Sequence, residues 1–235
     1  MKKLMVLPVL LGICLIVLQA QAKFDNPSNT TIIVIGEAKI SAKPNLATIC
    51  LGVETESDNV TQALNENSEK LAKVISAIKG IGISEDNITT TYFRVYPVRD
   101  YRTNEFKGYR IVNEIKIRTR DLNRIGEIIG VAISSGANRV EWIEFGLSKD
   151  RFEELRIKAI KEACEDAKAK ANTIAESLNL TITRILSIKE QSVYLQPYRV
   201  YGFVPSAIPT PTVTPPIKPG EVNVNFKIVA TFIAR

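Results

Sequence analysis

With 235 residues, 45% of them hydrophobic and 24% charged, the chain has a globular composition and is long enough for one large domain or two small ones. It contains no histidine, which excludes Ser-His-Asp and Cys-His catalysis and removes the commonest metal ligand. Three cysteines rule out a Cys-rich zinc site and a disulfide-dense scaffold, and 31 basic against 25 acidic residues leave a modest net charge of +6.

The first segment reads as an address. Met1-Lys2-Lys3 is basic, Leu4 to Leu18 carries no charge, and Ala20-Gln21-Ala22 is a small-residue cleavage pattern. This order predicts a secretory signal peptide over residues 1–22 and a mature chain from Lys23. An uncleaved N-terminal anchor is the alternative: Leu4 to Ala22 would extend roughly 28 Å as a helix, close to a bilayer core. Both readings place the same domain outside the cytoplasm. Cys14 lacks the small residue a lipobox needs before it, because Ile13 stands there. Export leaves Cys50 and Cys164 where disulfides are permitted, so two buried thiols, a bridge and a reactive thiol remain open.

Residues 23–235 read as one α+β domain. Thr31 to Gly36 is an apolar strand, and Lys43-Pro44-Asn45 makes a turn. Leu46 to Thr55 alternates, with Ile49, Leu51 and Val53 on one face and Thr48, Cys50 and Glu54 on the other. Ser57 or Asp58 caps a helix to Lys79 with Val60, Leu64, Leu71, Val74, Ile75 and Ile78 as its apolar stripe, and Gly80 ends it. Ile88 to Tyr96 is a strand that forms a hairpin with the next one. There Tyr109, Ile111, Asn113, Ile115 and Ile117 oppose Arg110, Val112, Glu114, Lys116 and Arg118.

Asp121 caps a second helix ending at Gly136, in which Gly126 and Gly130 suggest close packing on a sheet. Val140 to Phe145 is a strand with the lone Trp142. Asp150 to Leu178 is a long Ala-rich helix with Phe152, Leu155, Ala159, Ala163, Ala167, Ala171, Ile174 and Leu178 inward. Thr181 to Lys189 and Val222 to Phe232 are the last strands. The order ββαββαβαββ, with three helices, predicts largely antiparallel mixed sheet.

Little in this chain points to chemistry. Gly80-Ile81-Gly82 lacks the lysine and following helix of a phosphate loop. Glu153, Glu154, Glu162, Glu165 and Asp166 are interleaved with lysines, as on a solvated helix face. Arg94, Arg99, Arg102, Arg110, Arg118 and Arg120 gather in the hairpin region with Tyr92, Tyr96, Tyr101 and Tyr109. That mixture suits an acidic partner, but without a recognition motif it does not argue for nucleic acid. Sequons stand at Asn29, Asn59, Asn87 and Asn179.

Residues 191–220 are the most unusual stretch, with seven of the eleven prolines and no acid. They read as a Pro-rich apolar loop whose stiffness lowers the entropy lost on docking. Tyr194, Tyr198, Tyr201, Phe203, Val204 and Ile208 are its candidate interface residues. Self-association or a protein partner, a loop folded back on its own sheet, and contact with a membrane surface are the readings it allows.

From Thr31 to Glu190, and again in the last strand, the chain resembles the SIMPL domain family (DUF541). The resemblance rests on IIVIGEAKISAKPNLATICLGV, GIGISEDNITTTYFRVYPV and the long string GYRIVNEIKIRTRDLNRIGEIIGVAISSGANRVEWIEFGLSK. Pro44-Asn45 and Gly36-Glu37-Ala38 stand where the family often has Pro-Asp and Gly-Glu-Gly. The resemblance implies an exported, periplasmic-type protein of the cell envelope, linked to stress, with a reputation for large channel-like homo-oligomers. It supplies no agreed activity or catalytic residue. The expectation is therefore a non-enzymatic, homo-oligomeric assembly or binding module with no catalytic residue, metal or cofactor. The alternatives are a histidine-free hydrolase using carboxylates or arginines, and a membrane-tethered adaptor.

Overall fold

The computed structural model describes residues 30–201 and 219–235. The leader at 1–22 and three interface candidates, Phe203, Val204 and Ile208, lie outside the described residues, as does the side chain of Tyr194. Eleven main elements follow in order: β1 (Thr30–Ala42), β2 (Leu46–Ser57), α1 (Val60–Gly80), β3 (Ile88–Arg99), β4 (Phe106–Thr119), α2 (Ile125–Ser134), β5 (Arg139–Gly146), α3 (Lys149–Ser177), β6 (Ile182–Gln196), β7 (Tyr198–Tyr201) and β8 (Val222–Ala234). The α+β order expected from the sequence is present, with β7 added. β6 and β7 together take up Gln191–Tyr201, the first part of the stretch expected to be a loop.

The strands form two sheets, one ordered β1-β8-β6 and the other β3-β4-β2-β5-β7, and every pairing is antiparallel. Each sheet has its own core. In the larger one, Ile49, Leu51 and Val53 of β2 and Ile115 and Ile117 of β4 face Leu71, Val74 and Ile78 of α1 and Ile125 and Ile128 of α2. In the smaller one, β1 and β8 present alternate residues to an alanine stripe of α3: Ala159, Ala163, Ala167, Ala171 and Ala175. Alanine allows a close approach, and Gly36 completes it. A Cβ at Gly36 would stand 2.1 Å from the Ala163 carbonyl oxygen and 2.7 Å from the Ala167 Cβ.

Several local expectations shift for identifiable reasons. Asn59, not Ser57 or Asp58, caps α1, its Oδ1 accepting from the backbone N–H of Thr61 and Gln62. The buried stripe of α1 runs through Ala63, Asn67, Leu71, Val74 and Ile78, which leaves Val60 and Leu64 outside it. Asn67 is held inside by its Nδ2, which donates to the carbonyls of Val53 and Ile111 at 2.9 and 3.3 Å, while its buried Oδ1 has no partner among the described residues. On α3, Ala175 takes the inward place expected for Ile174 and Leu178, which are exposed. Close packing does not account for Gly130, since a Cβ there would meet nothing within 4 Å. Cys50 lies in β2 and Cys164 on α3, over different sheets; both are free, and Cys50 is buried whereas Cys164, against the reading of two buried thiols, is exposed.

The sheets are joined at the β1–β2 turn. Asn45 N–H donates to Gly146 O at 3.1 Å, and its Oδ1 accepts from Ser148 N–H at 2.8 Å. Ser148 in turn caps α3. Asn45 thus carries this tie with both ends of its amide.

Candidate functional site

One face of the five-stranded sheet is covered by α1 and α2, and the other is open. Strand alternation decides what stands on it. The ladder pairs Glu54 with Val112, Glu56 with Arg110 and Gly52 with Glu114, and brings Tyr92, Arg94 and Tyr96 of β3 beside β4. From the other side β5 adds Arg139, Glu141, Trp142 and Glu144, and β7 adds Arg199 and Tyr201. A register shift between Cys50 and Leu51 turns β5 there.

The result is a basin of about 470 Å³ lined by, among others, Glu54, Tyr92, Tyr96, Arg110, Glu114 and Arg139. Asn138 positions one wall: its Oδ1 accepts from Glu54 N–H at 2.7 Å, and its Nδ2 donates to Glu54 O at 2.8 Å. Glu54 then binds two guanidiniums, with Arg110 Nε at 3.1 Å and Arg139 on the other oxygen. Arg139 also meets Glu141 at 2.6 Å, Arg110 meets Glu56, and Arg199 meets Glu144. Trp142 is covered by Arg199 at 4.6 Å and Lys116 at 5.3 Å from its ring.

Glu114 stands apart, because among the described residues no cation comes within ion-pair distance of it. Burial, with the Glu141 charge as the next cause, pushes its carboxyl above the usual range. Its neighbour Cys50, 3.8 Å away, is pushed up to about 11, by burial first and by Glu114 second, so that thiol is inert at neutral pH.

A raised folded-state value means that the neutral acid is favoured by the fold. The associated stability is complete below about 4.3 and is lost as pH rises through the folded value. Glu114→Gln is therefore expected to raise stability at pH 7, with the gain disappearing near pH 4. Urea midpoints at the two pH values measure this, and an equal change at both would assign it to packing instead.

The arginine–tyrosine cluster expected from the sequence is only partly assembled here. Arg94, Arg99, Arg110, Tyr92 and Tyr96 meet at the basin, and Arg94 lies 5.5 Å from both of those rings. Arg102 and Tyr101 pair at the hairpin tip, Tyr109 packs on Phe106 at 5.1 Å, and Arg120 reaches Asp150 at 3.5 Å. The acids of α3 lie on its outer faces, with Arg151–Glu154 and Asp166–Lys170 among their pairs. Glu54, Glu114 and Glu141 were the missed residues. Parity along β2 and β4 was the signal for the first two, because it already grouped Glu54 with Cys50 and Glu114 with Arg110; Glu141 stands at the irregularity in β5 and had no such signal.

Of the interface candidates, Tyr198 is held, not free. Its ring lies 6.2 Å from that of Phe145, and Gly220 approaches it so closely that a Cβ there would be 3.2 Å away. Tyr201 is 74% exposed at the end of β7. Among the described residues there is no cluster of potential metal ligands and no helix long and apolar enough to cross a membrane.

Comparison with known proteins shows the chain's relatives. The chain is 26% identical over 212 residues to the 26 kDa periplasmic immunogenic protein of Brucella melitensis, covering 86% of this chain and 83% of that one. It is 25% identical over 187 residues to the uncharacterized protein YggE of Edwardsiella ictaluri, covering 77% of each. Against YggE of Escherichia coli K12 it is 25% identical over 198 residues, 83% of this chain and 78% of that one. The profile of SIMPL, a protein family of unknown function (DUF541), matches residues 32–232, and the chain belongs to that family.

Proposed function

We propose that the protein is an exported, non-enzymatic module of the cell envelope whose copies assemble through the free edge of β3. The basic–apolar–small leader and the periplasmic naming of the Brucella relative support export.

One contrast among the strand edges carries the assembly reading. β1 is stapled by its own helix: Asp166 accepts from Glu37 N–H at 2.8 Å, and Lys170 donates to Ile35 O at 2.9 Å. β6 is interrupted by three register shifts, and β7 has four residues. These are the usual ways of blunting an edge. β3 has shifts at Thr90/Tyr92 and Val98/Arg99, but between them it runs in even register from Tyr92 to Val98, and α1 packs over β2 and β4 without covering it. Phe93 is consequently 54% exposed, with Val95 beside it. An open apolar edge of this kind is a template for a second strand.

The test is light scattering on the purified protein. Phe93→Lys with Val95→Lys is expected to weaken association at least tenfold while leaving circular dichroism unchanged. An unchanged mass would remove β3 from the contact. Deleting Tyr194–Pro216 asks the same of the proline-rich segment.

Glu114 supports a second reading, acid–base hydrolysis in the basin. It is a carboxyl with a raised proton affinity beside Glu141 in a concave site. Against it, Glu54 and Glu141 are both neutralised by arginines, which leaves no second free carboxylate in the basin among the described residues. Turnover of a glycoside or ester library that vanishes in Glu114→Gln would favour this reading.

A further inference from the structure

We infer that the groove between α3 and β6 is a binding slot for the acyl chain of a free fatty carboxylate. α3 lies along β1 and β8 and makes few contacts with β6. The helix-side residues of β6 are therefore left uncovered, and Ile185 and Ile188 are 53% and 54% exposed. With Ile182 and Phe232 they line a groove of about 330 Å³ whose surface is overwhelmingly apolar. Apolar area concentrated in a concavity is the expected form of a small-molecule site.

The charge at its rim selects the ligand. Two charged side chains line the groove, Lys168 of α3 and Arg184 of β6, and both are cationic. Among the described residues neither meets a carboxylate within ion-pair distance, whereas the next lysine on α3, Lys170, is paired with Asp166 at 2.6 Å. An apolar slot with two unneutralised cations at its mouth complements one class of molecule, a hydrocarbon chain ending in an anion. The carboxylate would bridge Lys168 and Arg184, and the chain would lie over Ile185 and Ile188. A volume of about 330 Å³ falls within the range of small-molecule sites and suits a medium-length chain. A second protein copy fits less well, since a stable interface covers about 800 Å² on each partner.

Titration of the purified protein with sodium decanoate, below its micelle threshold, tests this by calorimetry. One saturable site per chain is expected. Decyltrimethylammonium, which has the same tail and the opposite charge, is expected to bind at least tenfold more weakly. Lys168→Glu with Arg184→Glu should reverse that preference, and Ile188→Asp should abolish both. These side chains are exposed, so the variants are expected to fold, and circular dichroism checks this. Absence of saturable heat with decanoate overturns the inference, as does equal affinity for the two surfactants. A fall in molecular mass in Ile188→Asp, without decanoate binding by the original protein, would make the groove a contact between copies.

Discussion

Gly36→Ala is expected to destabilise the protein by about 3 kcal/mol, although alanine is ordinarily the better residue in a strand. The usual gain from removing a glycine is roughly 0.5–1 kcal/mol. Here it is overwhelmed, because the added methyl would sit 2.1 Å from the Ala163 carbonyl oxygen. A backbone atom in the middle of a 29-residue helix cannot swing aside, so α3 must lift from β1 as a body. Lifting would also break the bonds from Glu37 N–H to Asp166 and from Lys170 to Ile35 O. A loss of about 3 kcal/mol corresponds to roughly 6–12 °C in melting temperature for a chain of this size. Ala167→Gly in the same chain should recover only part of it, since that change relieves the 2.7 Å contact and leaves the shorter one. Full recovery, or a neutral Gly36→Ala, would show that the alanine stripe packs more loosely than described.

Phe145→Ala is expected to cost about 3–5 kcal/mol and to release β7 before the rest of the sheet. Phe145 is fully buried in β5, between the α1/α2 core and the ring of Tyr198. β7 pairs with β5 over four residues only and depends on that packing. Its loss would take Arg199 away from Trp142, now 4.6 Å from its ring. The emission of this sole tryptophan is therefore expected to shift to the red at urea concentrations where far-ultraviolet dichroism is still native. Tyr198→Ala should reproduce the optical change with a much smaller loss of global stability. Coincident transitions in Phe145→Ala would show that β7 is held by its ladder alone.

The edge-strand contrast behind the proposed assembly and the cationic rim of the α3–β6 slot share one cause. Each helical layer is narrower than the sheet it covers. α1 and α2 shield the middle of the five-stranded sheet and leave Phe93 and Val95 bare. α3 shields β1 and β8 and leaves Ile185 and Ile188 bare. The two apolar strips lie on different sheets, so Phe93→Lys and Ile188→Asp probe them independently.

Much of this was legible beforehand. Period-two alternation in β2 and β4 identified the faces that pack on helices, because a strand with one buried side must alternate. The helices were legible from their stripes, and their ends from Gly80 and Gly136. Local chemistry was harder to read where alternatives were close together: Asn59 outcompeted Ser57 and Asp58 as a cap because of where the chain leaves β2. The strand character of Gln191–Tyr201 was hidden because Pro197 and its three tyrosines are equally at home in a stiff loop.

By itself, then, the order of residues determined the α+β class, the family, the antiparallel hairpins and the inward faces, all of which depend on neighbours a few positions apart. The basin of Glu54, Glu114, Arg110 and Arg139 was decided only by the tertiary structure, because it draws on strands up to 85 residues apart whose register no local pattern encodes. The same holds for the stapled edge of β1, the open edge of β3 and the slot beside β6. Which strand ends up at a sheet's margin, and how far a helix reaches across it, is settled by packing between distant segments.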